Sequence, residues 1–429
     1  MLNYMAVKNR ATITSRVLER IRPSAMERKE WNVVVDEFLL KLNKGLVNAT
    51  AIIGGSGAKD TWLAGNADID VFVRYDHSFS LRSGELADLL EKVLAKMFSG
   101  CTKERVHGSR DYFKFEYGGL SFEVVPILNI STAGDAVNIT DVSPLHTKWV
   151  NKNGEGLKDE IRLAKQFCKA QGVYGAESYI NGFSGYVLEI LVIYYGGFEK
   201  LLKASAKWKI KEVIDIEKYY KGKNVLFELN KSKLQSAVIV IDPVDKVRNA
   251  SAALGVEKCK IFQQKAKEYL LKPEENFFVV QKVTFEGLQK EAILQKLALV
   301  YIECEGQEGK EDVVGTKLLK VFEFLREELG KFIVVKSGWQ WRMGERGIFY
   351  FLLKLNKIDD EEIIKGPPLR LASFVLEFKK KHRVCFEEKG VMYAREKVEF
   401  TGVEEFVKDL LKKKYVEERV EKIVKVRVI

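Results

Sequence analysis

Asp68 and Asp70, two positions apart in the run ADIDVFVRY, are the residues whose type and spacing best suit them to chemistry. In an extended strand, side chains i and i+2 share a face, so the two carboxylates project together while Ile69 turns into the core. Paired carboxylates together with phosphate oxygens can hold Mg2+. Twelve residues before Asp68 stands Ser56, closing the turn Gly54-Gly55-Ser56. Such a turn can bring backbone N–H groups and the serine hydroxyl close to a triphosphate, an approach that a bulkier loop would obstruct. Glu123, in SFEVVPIL, alternates with apolar neighbours and can add a third carboxylate beside the pair, as a two-metal site requires. One metal would activate an attacking 3′-hydroxyl and the other would neutralise the triphosphate and the leaving pyrophosphate, with no covalent enzyme intermediate. A D-x-D pair alone recurs on surface strands, and the glycine-serine turn at this spacing is what makes it informative.

Positioning these groups requires a helix, a strand and a tight loop in succession. Residues 26–46 carry apolar positions at helical spacing, NATAIIGGSG reads as a short buried strand ending in the glycine turn, and ADIDVFVRY is a β-branched strand. YFKFEYGGLSFEVVPIL predicts a hairpin turned at Gly118 and Gly119. From Glu160 the pattern turns helical, with RLAKQFCKAQGVYG and FSGYVLEILVIYYGGFEKLLKASAKW repeating apolar residues every three to four positions, so a mainly helical second domain is expected. Helical character lapses near Lys272 and Pro273. KLALVYIEC then predicts a strand and TKLLKVFEFLREELGKF an amphipathic helix. KGPPL at 365–369 is expected to be a loop between two elements, since its prolines cannot continue a helix, and VEEFVKDLLKKKYVEERVEKI is expected to be a charged helix.

Composition bounds the function. The chain has 429 residues, enough for several packed domains, and 71 Lys plus Arg against 60 Asp plus Glu, a net charge of +11 that suits a polyanionic partner. Its five cysteines form no C-x-x-C pair or interleaved Cys/His pattern, which argues against a disulfide framework or a structural zinc. No apolar run reaches the ~18 residues of a membrane span. A soluble, cytoplasmic protein without membrane association is expected.

At this point a resemblance becomes specific. GGSGAKDTWLAGNADIDVFV is similar to the nucleotidyltransferase signature of the polymerase-beta superfamily, in the form carried by archaeal CCA-adding enzymes. SPLHTKWV, RLAKQFCKAQGVYGAESYINGFSGYVLEILVIYYGGF and DPVDKVRNASAAL resemble successive blocks of that family, in order and over about 200 residues. Beyond residue 275 the likeness is looser, resting on segment order and the GPP turn. The resemblance implies an α+β multidomain fold with a polymerase-beta-like catalytic head (1–145), a helical neck that binds nucleotide and tRNA (146–270), and an α+β C-terminal body and tail that bind tRNA (271–429). It implies template-independent addition and repair of the 3′-terminal CCA of tRNA from CTP and ATP. Asp68, Asp70 and Glu123 would hold Mg2+, while Ser56 and Lys59 would contact the triphosphate. His146, Lys165 and Tyr174 would complete the CTP and ATP pocket. Arg248 would read the base edge, for which a guanidinium has the fixed donor fork. Each also has a structural reading: a hydrogen-bonded histidine, a solvated lysine, a packed tyrosine, an arginine in an interdomain salt bridge. Family members choose C or A in a pocket formed jointly by protein and growing RNA end. Two departures stand out: Glu123 where the family usually has Asp, and Lys59 where it usually has Arg. Both keep the charge, but Glu is a methylene longer and Lys lacks the bidentate fork.

The RNA partner implied is the tRNA acceptor arm, an A-form rod recognised by shape and backbone. Phosphate contacts are expected from Lys203, Lys207, Lys209 and Lys211, clustered around Trp208, and from Lys412 to Lys414. A homodimer is compatible with the resemblance. Two other readings share the signature: a poly(A)-adding or oligoadenylate synthetase-like enzyme, and a noncatalytic RNA-binding homologue motivated by Glu123 and Lys59.

Overall fold

In the computed structural model, which describes residues 2–65 and 68–429 and the side chains of all these but 2–9, the chain divides into two units, Met1–Gln281 and Lys282–Ile429. The first unit opens with α1 (Leu2–Ile21) and α2 (Ala25–Gly45). A capping box starts α2: the Glu27 N–H donates to Ser24 Oγ at 3.1 Å and the Ser24 N–H to Glu27 Oε2 at 3.3 Å. Then follow β1 (Ala49–Ile53), α3 (Gly55–Lys59), β2 (Asp68–Tyr75), α4 (Leu86–Met97), β3 (Lys103–Val106), β4 (Tyr112–Tyr117) and β5 (Leu120–Leu128). Ala67, included in the predicted second strand, lies outside the described residues. The five strands form one sheet in the order β1-β2-β5-β4-β3, with β2 and β5 parallel. The β4–β5 hairpin turns at Gly118 and Gly119, both at positive φ (59° and 79°), where glycine avoids a steric cost.

One face of this sheet is core. Ile69, Val71, Val73, Phe122 and Val124 pack against Val35, Phe38 and Leu42 of α2 and Leu86, Leu90 and Leu94 of α4. Each such side chain contributes roughly 1.5–3 kcal/mol when buried. A one-residue slip of β2 would exchange these residues for Asp68 and Asp70, so the apolar alternation fixes which face carries the carboxylates.

The chain continues with α5 (Ser143–Asn153), α6 (Lys158–Ala170), α7 (Gly185–Tyr195), α8 (Phe198–Ser205), β6 (Glu212–Ile214), α9 (Val225–Glu228), β7 (Val238–Asp242), β8 (Asp245–Asn249) and α10 (Val256–Leu271). The long predicted helical stretch divides into α7 and α8 at Gly196 and Gly197, both at positive φ (74° and 134°). The expectation of a mainly helical region misses the three-stranded sheet β6-β7-β8. VIVID, buried at all five positions, is a short apolar run bounded by Pro243, and such a run has no helical period to reveal it. Trp208 is also corrected: it is buried and donates its indole N–H to Tyr195 Oη at 2.9 Å, while Lys203 pairs with Glu199 at 2.7 Å. The lysines there do not surround a displayed aromatic ring.

The second unit contains α11 (Phe285–Gln295), β9 (Ala298–Glu305), α12 (Glu311–Glu328), β10 (Val334–Gln340), β11 (Gly347–Leu353), β12 (Glu361–Pro368), α13 (Ala372–Lys381), β13 (Val384–Glu388), β14 (Val391–Lys397), α14 (Val403–Leu411), α15 (Lys414–Glu417) and β15 (Lys422–Val428). They build two sheets, β10-β11-β9-β15 and β12-β14-β13. Two expectations are overturned. KGPPL ends an edge strand, its register broken between Lys365 and Pro368, which is where a sheet tolerates proline. The charged C-terminal helix stops at Leu411, and the chain's last residues alternate as β15 and pair with β9. The fold is mixed α+β, and among the described residues no helix is long and apolar enough to cross a membrane.

Candidate active site

The parallel pairing of β2 with β5 sets Asp68 opposite Ser121 and Asp70 opposite Glu123, so the third carboxylate stands beside the pair. The glycine turn is built onto this carboxylate row. The Gly54 N–H donates to the Asp70 carbonyl at 2.8 Å. Gly55 has φ +52°, and a Cβ there would lie 1.6 Å from Asp70 Oδ2, so no other residue brings the Ser56 loop this close. Among the described residues the Ser56 hydroxyl makes no hydrogen bond. Burial, and then the neighbouring Glu123 and Asp68, push the Asp70 carboxyl up to about 6, against the opposing pull of Lys59 and Lys165. Glu123 relieves part of its charge on Lys114 at 2.9 Å. Among the described residues no group of three His, Cys, Asp or Glu is drawn into metal-ligating spacing. The residues nonetheless fit a divalent cation: the donors are all oxygens, suited to a hard ion, and their mutual repulsion is what a cation would relieve.

Behind the row lies a buried ionic cluster. Lys59 Nζ and Lys165 Nζ each donate to Glu189 at 2.8 Å, on Oε2 and Oε1 respectively, and Thr61 Oγ1 donates to Glu189 Oε1 at 2.8 Å. Lys165 also donates to Thr61 Oγ1 at 2.8 Å. All four side chains are buried. Two ammonium groups thus face one carboxylate. Although burial opposes ionisation, Lys165 and Lys59 hold Glu189 down at about 2, whereas burial outweighs the shared carboxylate at Lys165 and lowers its basicity. Tyr174 joins from the chain after α6. Its hydroxyl would lie 3.0 Å from a Cβ at Gly185, beside the Lys165 ammonium stem. Burial, and then Glu189, raise its phenol.

A second cluster centres on Asp242, at the end of β7. His146 Nε2 lies 3.1 Å from Asp242 Oδ2, Tyr186 Oη donates to Oδ1 at 3.0 Å, and Arg248 pairs with Oδ2. The imidazole of His146 stacks on Tyr186 with ring centroids 4.0 Å apart. Although burial opposes it, contact with His146 and Arg248 keeps Asp242 at about 2. Burial, with Arg248 and Lys59 adding to it, lowers His146 despite Asp242. Lys59 Nζ lies 5.3 Å from the Tyr186 ring centroid and so links the two clusters. Arg248 pairs within its own unit rather than bridging domains, and its side chain stays 29% exposed.

The predicted residues thus fall into one carboxylate row and two adjoining polar clusters. Lys59 and Lys165 face inward to Glu189 rather than solvent. Sequence reading missed Glu189, Asp242, Tyr186 and Thr61, and also Arg162, which fixes the loop before β2 by donating to the Trp62 carbonyl at 3.0 Å and to Asp60 Oδ1 at 2.6 Å. Glu189 had a signal: it is a lone acid inside the apolar run GYVLEILVIYY, and unpaired buried carboxylates are rare. A cavity of about 750 Å³ lined by Met26, Trp31, Trp62 and Gly118 contains none of the site residues.

Comparison with known proteins fits this geometry. Residues 35–116 match the family described as nucleotidyltransferase domain, and residues 159–279 match that described as tRNA nucleotidyltransferase, second domain. Relatives include the CCA-adding enzymes of Nanoarchaeum equitans (36% identical, covering 71% of this chain and 73% of that one), Methanosarcina mazei (30%; 85% and 80%) and Sulfurisphaera tokodaii (31%; 92% and 91%). Among solved structures, the fold resembles that of the Cid1 poly(U) polymerase bound to MgATP, with TM-score 0.51 at 14% identity over 63% of this chain and 98% of that one. The expected polymerase-beta-like fold is therefore present, and the chain belongs to the archaeal CCA-adding enzymes and is a CCA tRNA nucleotidyltransferase.

Proposed function

We propose that this enzyme adds two C and one A to the 3′ end of tRNA lacking CCA, using CTP and ATP and Mg2+. What carries the reading is the juxtaposition of Asp70 with Glu123 on parallel strands, Asp68 on the same face and Gly55 packed against Asp70. Asp68, Asp70 and Glu123 would hold the metal, which when bound supplies Lewis acidity at the attacking hydroxyl and neutralises the charge that builds on the phosphates. The Gly54-Gly55 turn and the Ser56 hydroxyl receive the triphosphate. Lys59 and Lys165, kept in place by Glu189, add positive potential behind it, and Tyr174 closes that side. Arg248, oriented by Asp242 together with His146, presents donors to the base edge.

Within this reading the first unit divides into a head (1–145) and a neck (146–270), and residues 271–429 are the body and tail that grip the tRNA acceptor arm, with Lys203, Lys207, Lys209, Lys211 and Lys412 to Lys414 at phosphates. The enzyme would act in the cytoplasm, as a homodimer. The test is incubation with Mg2+ and tRNA lacking CCA, supplying CTP alone, ATP alone or both, with products resolved at single-nucleotide length. Two additions with CTP and a terminating third with ATP are expected. A long A-tail, 2′-5′ oligomers from ATP alone, or no incorporation would each overturn the reading.

A further inference from the structure

β7 and β8, which carry Asp242 and Arg248, are joined by Pro243 and Val244, and their pairing is irregular. The register sets Ile241 opposite Asn249 but Asp242 opposite Asp245, so Lys246, Val247 and Arg248 form a bulge on β8. A bulge re-aims the side chains it carries and takes its residues out of the ladder. Asp242 is anchored to α5 and α7 through His146 and Tyr186, and it tethers the Arg248 guanidinium. The ladder does not fix the backbone from which that side chain extends.

That backbone is held instead by the segment between β6 and β7. Tyr219 Oη donates to the Pro243 carbonyl at 2.6 Å, Tyr220 Oη to the Lys246 carbonyl at 2.7 Å and Lys233 Nζ to the Val247 carbonyl at 2.5 Å. The tyrosines are themselves fixed, since Asp215 accepts from their backbone N–H groups at 3.1 and 2.8 Å. Asn249 Nδ2 donates back to the Lys233 carbonyl at 2.7 Å. The segment also has a small core of its own, in which Val225, Leu229 and Leu234 pack with Ile239 and Ile241 of β7 and with Tyr220. Near its start, Glu217 Oε1 accepts from the Trp149 indole N–H at 2.7 Å, and Trp149 stands one turn beyond His146 on α5.

We infer that residues 215–233 are a brace that sets where the Arg248 fork stands, and that Tyr219 and Tyr220 are positioning residues for base choice. The inference rests on the base-reading role proposed for Arg248 and deepens it. A fork of donors separates one base edge from another only by where its hydrogens lie, and displacement by about 1 Å is enough to spoil such a geometry. Asp242 governs the far end of the side chain and the two phenol hydroxyls govern its root, one on each side of the bulge. If the segment were merely packing, its tyrosine rings would matter and their hydroxyls would not.

The experiment compares the whole enzyme with Tyr219→Phe/Tyr220→Phe, which keeps both rings and removes only the hydroxyls, with Arg248→Ala, and with the triple variant. Each is given a tRNA transcript lacking CCA, and single-turnover incorporation at the first position is measured with CTP, UTP or ATP. In the double phenylalanine variant, incorporation of UTP and ATP relative to CTP should rise roughly tenfold, the size expected for losing one or two neutral hydrogen bonds. Its KM for tRNA should be unchanged, and it should still unfold in one cooperative transition. Arg248→Ala should show the same fault, and the triple variant should be no worse, because the tyrosines act through the arginine. Unchanged base choice in the double phenylalanine variant, with Arg248→Ala disturbed, would overturn the brace and leave the role of Arg248 standing. Errors that add in the triple variant would overturn it as well, since the hydroxyls would then act through another residue. Intact base choice in Arg248→Ala would sink the base-reading role itself, and the brace with it.

Discussion

Lys59, the last residue of α3, and Glu189, in the middle of α7, form a buried ion pair at 2.8 Å across 130 residues of sequence. The same carboxylate holds Lys165, so one acid fixes two cations beside the carboxylate row. Glu189→Gln should therefore destabilise the first unit by about 3 kcal/mol, because breaking such a pair leaves charges buried without a partner. Denaturant unfolding followed by hydrogen exchange in α6 and α7 measures this, and an unchanged midpoint would refute the cluster's role.

The same group predicts a pH dependence. Glu189 titrates near 2 in the folded chain, below its ordinary 4.5, so its ionised form favours folding. That stabilisation, on the order of 3 kcal/mol, is complete above about pH 4.5 and is lost as pH falls toward 2. Asp242, lowered from 3.8 to about 2, acts in the same direction. Thermal melts between pH 5 and pH 2 should show a steep acid limb in the parent and a shallower one in Glu189→Gln. Parallel limbs would show that other carboxylates dominate.

Gly55→Ala should cut nucleotide addition by about a hundredfold. Its positive φ costs an L side chain roughly 1–2 kcal/mol. The larger effect is steric: the new methyl would occupy the position of Asp70 Oδ2, and misplacement of a reacting group by about 1 Å can cost ~100-fold. Single-turnover incorporation of one C by enzyme saturated with tRNA reads the step directly. Retained tRNA affinity with lost incorporation is the expected pair of results, and full activity would show that Asp70 need not stay where it is.

How far the sequence reveals this arrangement depends on the range of the contacts. The β2 carboxylates, the glycine turn and the hairpin at Gly118-Gly119 are legible because alternation and positive φ are local properties. Placing Glu123 next to Asp70 needed only strand alternation plus the parallel pairing that the structure supplies. The pairing of Lys59 with Glu189 depends on how segments 130 residues apart pack, and no spacing encodes it, whereas Arg248 and Asp242 stand six residues apart across the β7–β8 turn and their pairing was hidden because those two strands were not read from the sequence. β15 was hidden because VEKI continues the charge pattern of α14, and its strand character is settled by pairing with β9. The GPP segment was misread because proline excludes a helix but not the end of an edge strand.

Asp70→Ala should abolish incorporation while leaving tRNA binding largely intact. Asp70 shares its face of β2 with Asp68 and has Glu123 beside it, so its removal takes away one wall of the proposed cation site. A bound metal contributes several kcal/mol at the transition state, and a loss on the order of 1,000-fold follows from about 4 kcal/mol. Titration with Mg2+ distinguishes a binding defect, which excess metal would partly rescue, from a loss of geometry, which it would not. Incorporation indifferent to this change would remove the carboxylate row from the mechanism.

Asp242→Asn tests whether base choice depends on the second cluster. Asp242 accepts from Tyr186 at 3.0 Å, stands 3.1 Å from His146 and pairs with Arg248, so one carboxylate fixes three side chains. The amide is nearly isosteric, but it cannot accept on both atoms and carries no charge to balance the guanidinium. A hydrogen bond to a charged group contributes about 1.5–3 kcal/mol, so the variant should lose roughly 10- to 100-fold in kcat/KM for CTP and ATP. If Arg248 reads the base, misincorporation should rise as well, because an untethered fork no longer favours one pattern of acceptors. Arg248→Ala should then give the same misincorporation, and the double variant should be little worse than either single one, as expected for residues acting as a unit. Additive losses would mean that Asp242 serves His146 and Tyr186 independently, and that Arg248 selects bases without its help.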